Sequence, residues 1–68
     1  MSDQVRNTVS QHRTTQKLTQ EQLAKGVGVT RQTIIAIEKG NYTPSVALAL
    51  KIAAFFKVSV ESIFTVES

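Results

Sequence analysis

The chain has 68 residues, a formal net charge of +3 and no cysteine. A chain of this length has a limited core, so we expect a single domain over residues 1–68 that gains stability from a partner chain. The absence of cysteine excludes disulfides and thiolate metal sites and is typical of a reducing compartment. The pI of about 9.7 favours nucleic acid as a partner.

The composition also argues against a membrane protein and against an enzyme. No segment approaches the roughly 18 consecutive apolar residues of a membrane span, and the polar start MSDQVRNTVSQHR lacks the apolar stretch of a signal peptide. We therefore expect a cytoplasmic protein with no membrane partner. One histidine and no clustered carboxylates leave nothing to form an acid–base pair or a metal site. We predict no catalytic residue, no metal, no cofactor and no small-molecule ligand.

In chain order, the hydrophobic pattern predicts five helices and no strand, which is an all-α five-helix bundle. The first helix is expected over residues 3–13, with Val5 and Val9 on one face. Thr19 begins the second helix, and Gln22 three residues later completes a capping box.

The segment TQEQLAKGVGVTRQTIIAIEKG, residues 19–40, has the pattern of a helix-turn-helix. Gly28 ends the second helix, and Thr30 caps the third. Ala24 lets the two helices cross closely, Gly28 supplies a left-handed turn, and Ile34 locks the third helix onto the second. Two short helices joined in this way are typical of a unit that reads DNA.

Two further helices are expected after a turn-forming loop. Ser45 caps a fourth helix over residues 46–56, and Ser59 caps a short fifth helix over residues 60–64. The fourth helix is nearly all apolar, so one stripe of it should form the core. That stripe comprises Leu48, Ala49, Ile52, Phe55 and Phe56.

A second apolar face of the fourth helix lies opposite the expected core and consists of Val46, Leu50 and Ala54. Two interpretations remain open. Either the fifth helix covers part of this face, or the face is a self-association surface, since an exposed apolar patch usually marks an interface. The second interpretation makes another copy of the chain a partner in a homodimer.

The outward face of the third helix carries side chains that suit the DNA major groove. Arginine pairs bidentately with guanine and glutamine with adenine, so we expect Arg31 and Gln32 to read bases. A merely solvated helix face is the plain alternative. Helix N-termini attract phosphates. Thr30 is expected to act mainly as a cap, whereas Gln20 at the start of the second helix is expected to contact the DNA backbone or a neighbouring base. Phosphate contacts are also expected after the third helix, at Lys39 and Asn41. The predicted DNA-binding residues are Gln20, Thr30, Arg31, Gln32, Thr33, Ile35, Ala36, Lys39 and Asn41.

Arg13 and Glu38 are the expected structural ion pair. Glu38 borders the core face of the third helix, where a buried carboxylate needs a partner, and the guanidinium fork of Arg13 fits that need. Two unrelated surface charges are the alternative.

Three stretches, LTQEQLAKGVGVTRQTIIAIEKG, NYTPSVALALKIAAFF and VSVESIF, resemble the Cro/C1-type (XRE-like) helix-turn-helix regulators, which have a lambda-repressor-like DNA-binding domain. The resemblance covers almost the whole chain and agrees in spacing, caps and loop. It implies a five-helix bundle that binds operator DNA, commonly as a homodimer, with the expected ion pair buried. The positions that face DNA in such proteins match Gln20, Arg31, Gln32, Thr33 and Ala36.

Four positions depart from the usual pattern of that family. Ile35 stands where relatives carry a small polar residue, and Ala36 is often longer and polar, so fewer direct hydrogen bonds to DNA are expected. Gly26 replaces a better helix former and costs up to about 1 kcal/mol of local stability. His12 replaces a usual aliphatic residue and is expected at the edge of the core.

The sequence thus predicts a dimeric, sequence-specific transcriptional regulator that acts as a repressor on double-stranded DNA. On a palindromic operator, the third helices of the two subunits would lie about 34 Å apart in the major groove. A protein-binding module, such as an antitoxin that masks a toxin, is the alternative from another class. The 68 residues leave no extra segment to wrap such a partner, which counts against it.

Overall fold

The computed structural model of the chain describes residues 4–67. Within this range the chain forms four α-helices, one short 3₁₀ turn and a two-stranded antiparallel sheet. No helix among these residues is long and apolar enough to cross a membrane. The elements in order are β1 (Gln4–Asn7), α1 (Val9–Thr15), α2 (Gln20–Val27), α3 (Arg31–Glu38), α4 (Val46–Phe56), the 3₁₀ turn (Val60–Ser62) and β2 (Phe64–Glu67).

The prediction of an all-α five-helix bundle is therefore wrong at both ends of the chain. The first predicted helix begins with a strand instead, and α1 starts only at Val9. The predicted start of that helix at Asp3 lies outside the described residues. The fifth predicted helix is a single 3₁₀ turn, after which Phe64 begins β2.

The two strands pair with each other, β1 against β2, over four residues each. Val5 is opposite Val66 and Asn7 is opposite Phe64, and an exposed ion pair joins Arg6 Nε to Glu67 Oε1 at 2.8 Å. Strands of four residues are too short for a clear alternating pattern, and each has its partner about sixty positions away. We call this pair of strands the terminal ribbon.

A compact set of apolar side chains holds the four helices together. Apolar side chains of α2 and α3 are buried. In α4, Ala53 is buried, whereas Ala49 and Phe55, which we predicted in the core stripe, are only half-buried. Burial of a large aliphatic side chain contributes roughly 1.5–3 kcal/mol, so these residues dominate stability. The buried core is Val9, Leu23, Ala24, Val27, Ile34, Ile37, Leu48, Ile52, Ala53, Phe56 and Ile63.

Three of the helices begin at the predicted capping residues. Thr19 Oγ1 accepts a hydrogen bond from the Gln22 amide at 3.0 Å, and the Gln22 side chain accepts one from the Thr19 amide at 2.8 Å. Thr30 caps α3 and Ser45 caps α4 in the same way, each accepting from the amide three residues on. These bonds satisfy backbone donors that a helix start leaves without an intrahelical partner.

Candidate nucleic-acid interface

The turn between α2 and α3 sets the position of α3. Gly28 has a left-handed conformation with φ +79°, and its amide donates to the Ala24 carbonyl at 2.9 Å. The Val29 amide donates to the same carbonyl at 3.0 Å. A residue with a side chain would be strained in this conformation, so glycine is the residue that suits this turn.

The core side of α3 is anchored by Ile34 and Ile37, which are completely buried. Arg31 and Gln32 are exposed at the start of the helix. The other predicted DNA-facing residues of α3 are half-buried, namely Thr33, Ile35 and Ala36. The outward surface of α3 is thus basic and amide-bearing at its first turn and partly apolar farther on.

Positive charge dominates the exposed surface of the helix-turn-helix. Lys25, Arg31 and Lys39 are exposed there, against one exposed acid, Glu21. The other acid of the segment, Glu38, keeps only 8% of its side chain exposed. The charge presented to solvent therefore favours an anionic polymer.

The two residues predicted as an ion pair, Arg13 and Glu38, lie in direct contact. Arg13 Nε donates to Glu38 Oε2 at 2.7 Å, and Arg13 Nη2 donates to Oε1 at 3.2 Å. Arg13 Nη1 also donates to the Leu18 carbonyl at 2.7 Å. The guanidinium of Arg13 in α1 thus contacts both α3 and the loop that precedes α2. The Arg13 side chain is only 14% exposed and the Glu38 side chain only 8%.

Gln20, the first residue of α2, joins this cluster. Its side-chain Nε2 donates to Glu38 Oε1 at 3.1 Å, and Gln20 is half-buried. Gln20 also lines one concave surface together with Thr19, Lys25 and Arg31. The structure therefore brings the first residues of α2 and α3 to the same face of the protein.

The other predicted phosphate-binding residues lie at the two ends of α3. Thr30 precedes the helix and uses its hydroxyl oxygen as the N-cap, accepting from the Thr33 amide at 3.3 Å. Lys39 and Asn41 follow the helix and are exposed, and the Asn41 amide donates to the Ala36 carbonyl at 2.9 Å. Both ends of α3 thus present polar groups beside its outward face.

The second apolar face of α4 is exposed. Val46 is 77% exposed and Leu50 is 53% exposed, and Ala54 is exposed as well. The fifth helix that the first interpretation required is only a 3₁₀ turn, and all three side chains of this face are exposed. Lys51 is the one charged side chain on this side of the helix.

Sequence reasoning missed the role of Asn7 at the end of β1. Its Nδ2 donates to the Ile37 carbonyl in α3 at 2.9 Å, and its Oδ1 accepts from the Val9 amide at 3.1 Å. A hydrogen bond across thirty positions leaves no local signal, although the bond to Val9 has the pattern of an Asx turn. Asn7 therefore ties the terminal ribbon to the C-terminal end of α3.

His12, predicted at the edge of the core, is half-buried. Its Nδ1 lies 2.9 Å from the Thr8 carbonyl, and its ring centre lies 5.6 Å from that of Phe56. Among residues 4–67 there is no group of three His, Cys, Asp or Glu side chains that could hold a metal ion.

These features define a helix-turn-helix protein, and comparisons with known proteins support that assignment. The sequence profile of the helix-turn-helix family matches residues 9–63. The chain is 57% identical to an HTH-type transcriptional regulator of Methanocaldococcus jannaschii over 63 residues, covering 93% of this chain and 96% of the relative. It is 48% identical to the HTH-type transcriptional regulator YgzD of Bacillus subtilis, with the same coverage of both chains.

A solved structure agrees with the fold. The restriction-modification controller protein C.AhdI of Aeromonas hydrophila superposes with a TM-score of 0.75 at 28% identity, over 79% of this chain and 82% of that one. The chain belongs to the Cro/C1-type helix-turn-helix family of DNA-binding transcriptional regulators. It is a regulator and not an enzyme.

Proposed function

We propose that this regulator is a repressor that binds a palindromic operator as a homodimer, with α3 of each subunit in the major groove. The observation that carries the proposal is the first turn of α3, where Arg31 and Gln32 are exposed while Ile34 and Ile37 fix the helix from behind. Repression needs only occupancy of the operator, which a DNA-binding surface of this kind can supply.

Two kinds of base contact are proposed for α3. Arg31 reads a guanine and Gln32 an adenine through their paired polar atoms, while Thr33, Ile35 and Ala36 meet thymine methyl groups. The half-buried, mainly apolar character of the second group supports contact with methyl groups over hydrogen bonding. Arg31 and Gln32 would therefore supply most of the polar sequence discrimination.

Phosphate contacts are proposed on either side of α3. Thr30 and Gln20 stand at the starts of two helices, where backbone amides favour anions, and Lys39 and Asn41 are exposed beyond the end of α3. Contacts to phosphate fix the register of the protein on the duplex without reading its sequence. Gln20 contacts either a phosphate or a neighbouring base in this proposal.

The homodimer is proposed to form through the exposed face of α4. Val46, Leu50 and Ala54 are spaced four residues apart and therefore lie along one side of the helix. An apolar stripe of this kind on a small DNA-binding protein supports burial against a second copy. Two-fold symmetry of the dimer would then match a palindromic site, with reading helices about 34 Å apart.

The proposal is tested by in vitro selection of bound duplexes from a randomised library, with sizing of the selected complex. The expected result is a two-fold symmetric consensus and two protein chains per duplex. An asymmetric consensus with one chain per duplex would refute the homodimer, and no enrichment would refute sequence-specific binding.

The role of Arg31 is tested by Arg31→Ala on the selected duplex. Loss of a bidentate guanine contact should weaken binding by about 1–3 kcal/mol and relax specificity at one position of each half-site. Lys25→Ala is the control, because it removes an equal charge outside α3 and should weaken binding to all duplexes alike. Unchanged affinity of the Arg31 variant would contradict the assignment.

The dimer surface is tested by Leu50→Lys, which places a charge in the middle of the exposed α4 face. We expect sedimentation to show a monomer and operator affinity to fall, while the folded structure is kept because Leu50 is 53% exposed. Lys51→Ala, one residue along, is the matched control. A Leu50 variant that still sediments as a dimer would place the interface elsewhere.

A further inference from the structure

We propose that Glu38 is a positioning residue for DNA binding, which orients the side-chain amide of Gln20 toward the duplex. The proposal rests on the proposed function, because it takes Gln20 as a DNA contact. In this proposal the Arg13–Glu38 ion pair does more than connect α1 to α3, because it also orients a DNA-contacting side chain.

The hydrogen bonds of Glu38 divide between two partners. Oε2 accepts from Arg13 Nε at 2.7 Å. Oε1 accepts from both Arg13 Nη2 at 3.2 Å and Gln20 Nε2 at 3.1 Å. The guanidinium thus holds the carboxylate in one plane, and the carboxylate in turn holds the Gln20 amide.

The chemistry of the carboxylate dictates which way the amide faces. An ionised carboxylate is only an acceptor, so Gln20 must present its NH₂ group to Glu38. The carbonyl Oε1 of Gln20 and its second N–H are then left for a partner. Gln20 lines the same concave surface as Arg31, so these two groups lie beside the start of the proposed reading helix.

Holding the amide before binding has a physical benefit. A free glutamine loses rotamer entropy when it contacts DNA, and a side chain already ordered by Glu38 loses less. Gln32 offers the contrast within the same protein, because it is fully on the exposed side of α3. The oriented groups of Gln20 suit either a phosphate oxygen, through the N–H, or a base amino group, through Oε1.

The test is a double-mutant cycle on affinity for the selected operator duplex. Gln20→Met keeps the length of the side chain and removes the amide, and should weaken binding about threefold to tenfold in the protein with Glu38. In the Glu38→Gln background, where an amide no longer dictates the orientation of its neighbour, the same change should cost less than about twofold. Equal costs in both backgrounds would overturn the proposal.

Gln32→Met is the matched control for this cycle. Gln32 makes no use of Glu38 in the proposal, so its substitution should cost the same factor in both backgrounds. Parallel measurement on a random-sequence duplex separates the two possible partners of Gln20. A loss shared by both duplexes indicates phosphate, and a loss confined to the operator indicates a base.

A measurement on the unmodified protein keeps the test decisive if Glu38→Gln does not fold. In free protein, hydrogen exchange of the Gln20 side-chain NH₂, followed by NMR, should be several-fold slower than that of Gln32 because of the bond to Glu38. Equal exchange rates would overturn the proposal. If Gln20→Met has no effect on binding at all, the inference also fails, while Arg31→Ala still tests the proposed function separately.

Discussion

The helix-turn-helix segment and the segments that flank it are held in place by different means. Inside residues 19–40, both helices start with a threonine that accepts a backbone hydrogen bond, and both are followed by a glycine with φ +79°. Outside, Ser45 caps α4 in the same way, but the side chain of Thr8 makes no capping hydrogen bond to α1. The left-handed residues after α1 and α4 are Lys17 and Lys57, both with φ 59°.

The flanking segments depend instead on contacts between distant parts of the chain. The Thr8 amide donates to the Ile63 carbonyl at 2.9 Å, and Asn7 donates to the Ile37 carbonyl. The terminal ribbon therefore needs the folded helices for its own order. The helix-turn-helix is specified by residues that are neighbours in sequence, whereas the ribbon is specified by contacts between distant residues. Single substitutions in the ribbon and at the left-handed lysines should therefore have separable effects on stability.

The contact between Gly26 and Phe55 should give the largest stability effect. A Cβ at position 26 would overlap Cε1 of the Phe55 ring, which is itself held edge-on against Phe56 with centres 5.3 Å apart. Gly26, which we predicted to lower the local stability of α2, therefore leaves the space that the Phe55 ring of α4 occupies. Gly26→Ala should destabilise the protein by about 1–2 kcal/mol in urea unfolding, because overpacking outweighs the better helix propensity.

The control for this prediction removes the ring that the new methyl would meet. In a Phe55→Ala background, Gly26→Ala should be neutral or stabilising by up to about 1 kcal/mol, as helix propensity alone would have it. Stabilisation by Gly26→Ala in the protein with Phe55 would contradict the packing argument.

The connection between the ribbon and α3 should come next in size. Asn7→Ala removes the bonds to the Ile37 carbonyl and the Val9 amide. It should cost about 1–1.5 kcal/mol, because the Val9 amide loses its partner while the Ile37 carbonyl still accepts from the Gly40 amide. Arg6→Ala is the neighbouring control. Its ion pair with Glu67 is 66% and 56% exposed, so its loss should cost less than about 1 kcal/mol. Equal costs for the two variants would show that Asn7 is no anchor.

The same contrast explains which parts of the fold were predictable. The caps at Thr19, Thr30 and Ser45 were predictable because each acts through an amide three residues away. The strands were not, because Val5 and Val66 pair across the length of the chain. A short helix beginning before α1 satisfied the spacing of Val5 and Val9 equally well, and only the distant partner strand decides between them.

The candidate site divides in the same manner. The exposure of Arg31 and Gln32 followed from helical periodicity once the caps of α3 were known. The contact between Gln20 and Glu38 had no such basis, since it joins the first residue of one helix to the last residue of the next. Periodicity assigns a residue to a face, but contacts at helix ends depend on how the helices cross.

The smallest predicted effect tests the difference between the glycines and the lysines directly. Lys57 directly follows α4 in a left-handed conformation, as Gly28 directly follows α2, and a residue with a Cβ is strained there. Lys57→Gly relieves that strain but removes a charge that favours the helix C-terminus. Lys57→Ala removes the charge alone, so the difference in stability between the two variants isolates the contribution of the backbone conformation.

We expect the glycine variant to be more stable than the alanine variant by about 1 kcal/mol, measured by thermal unfolding at one protein concentration. Equal stabilities would mean that the turn after α4 is set by its distant contacts and not by the conformational preference of its own residue.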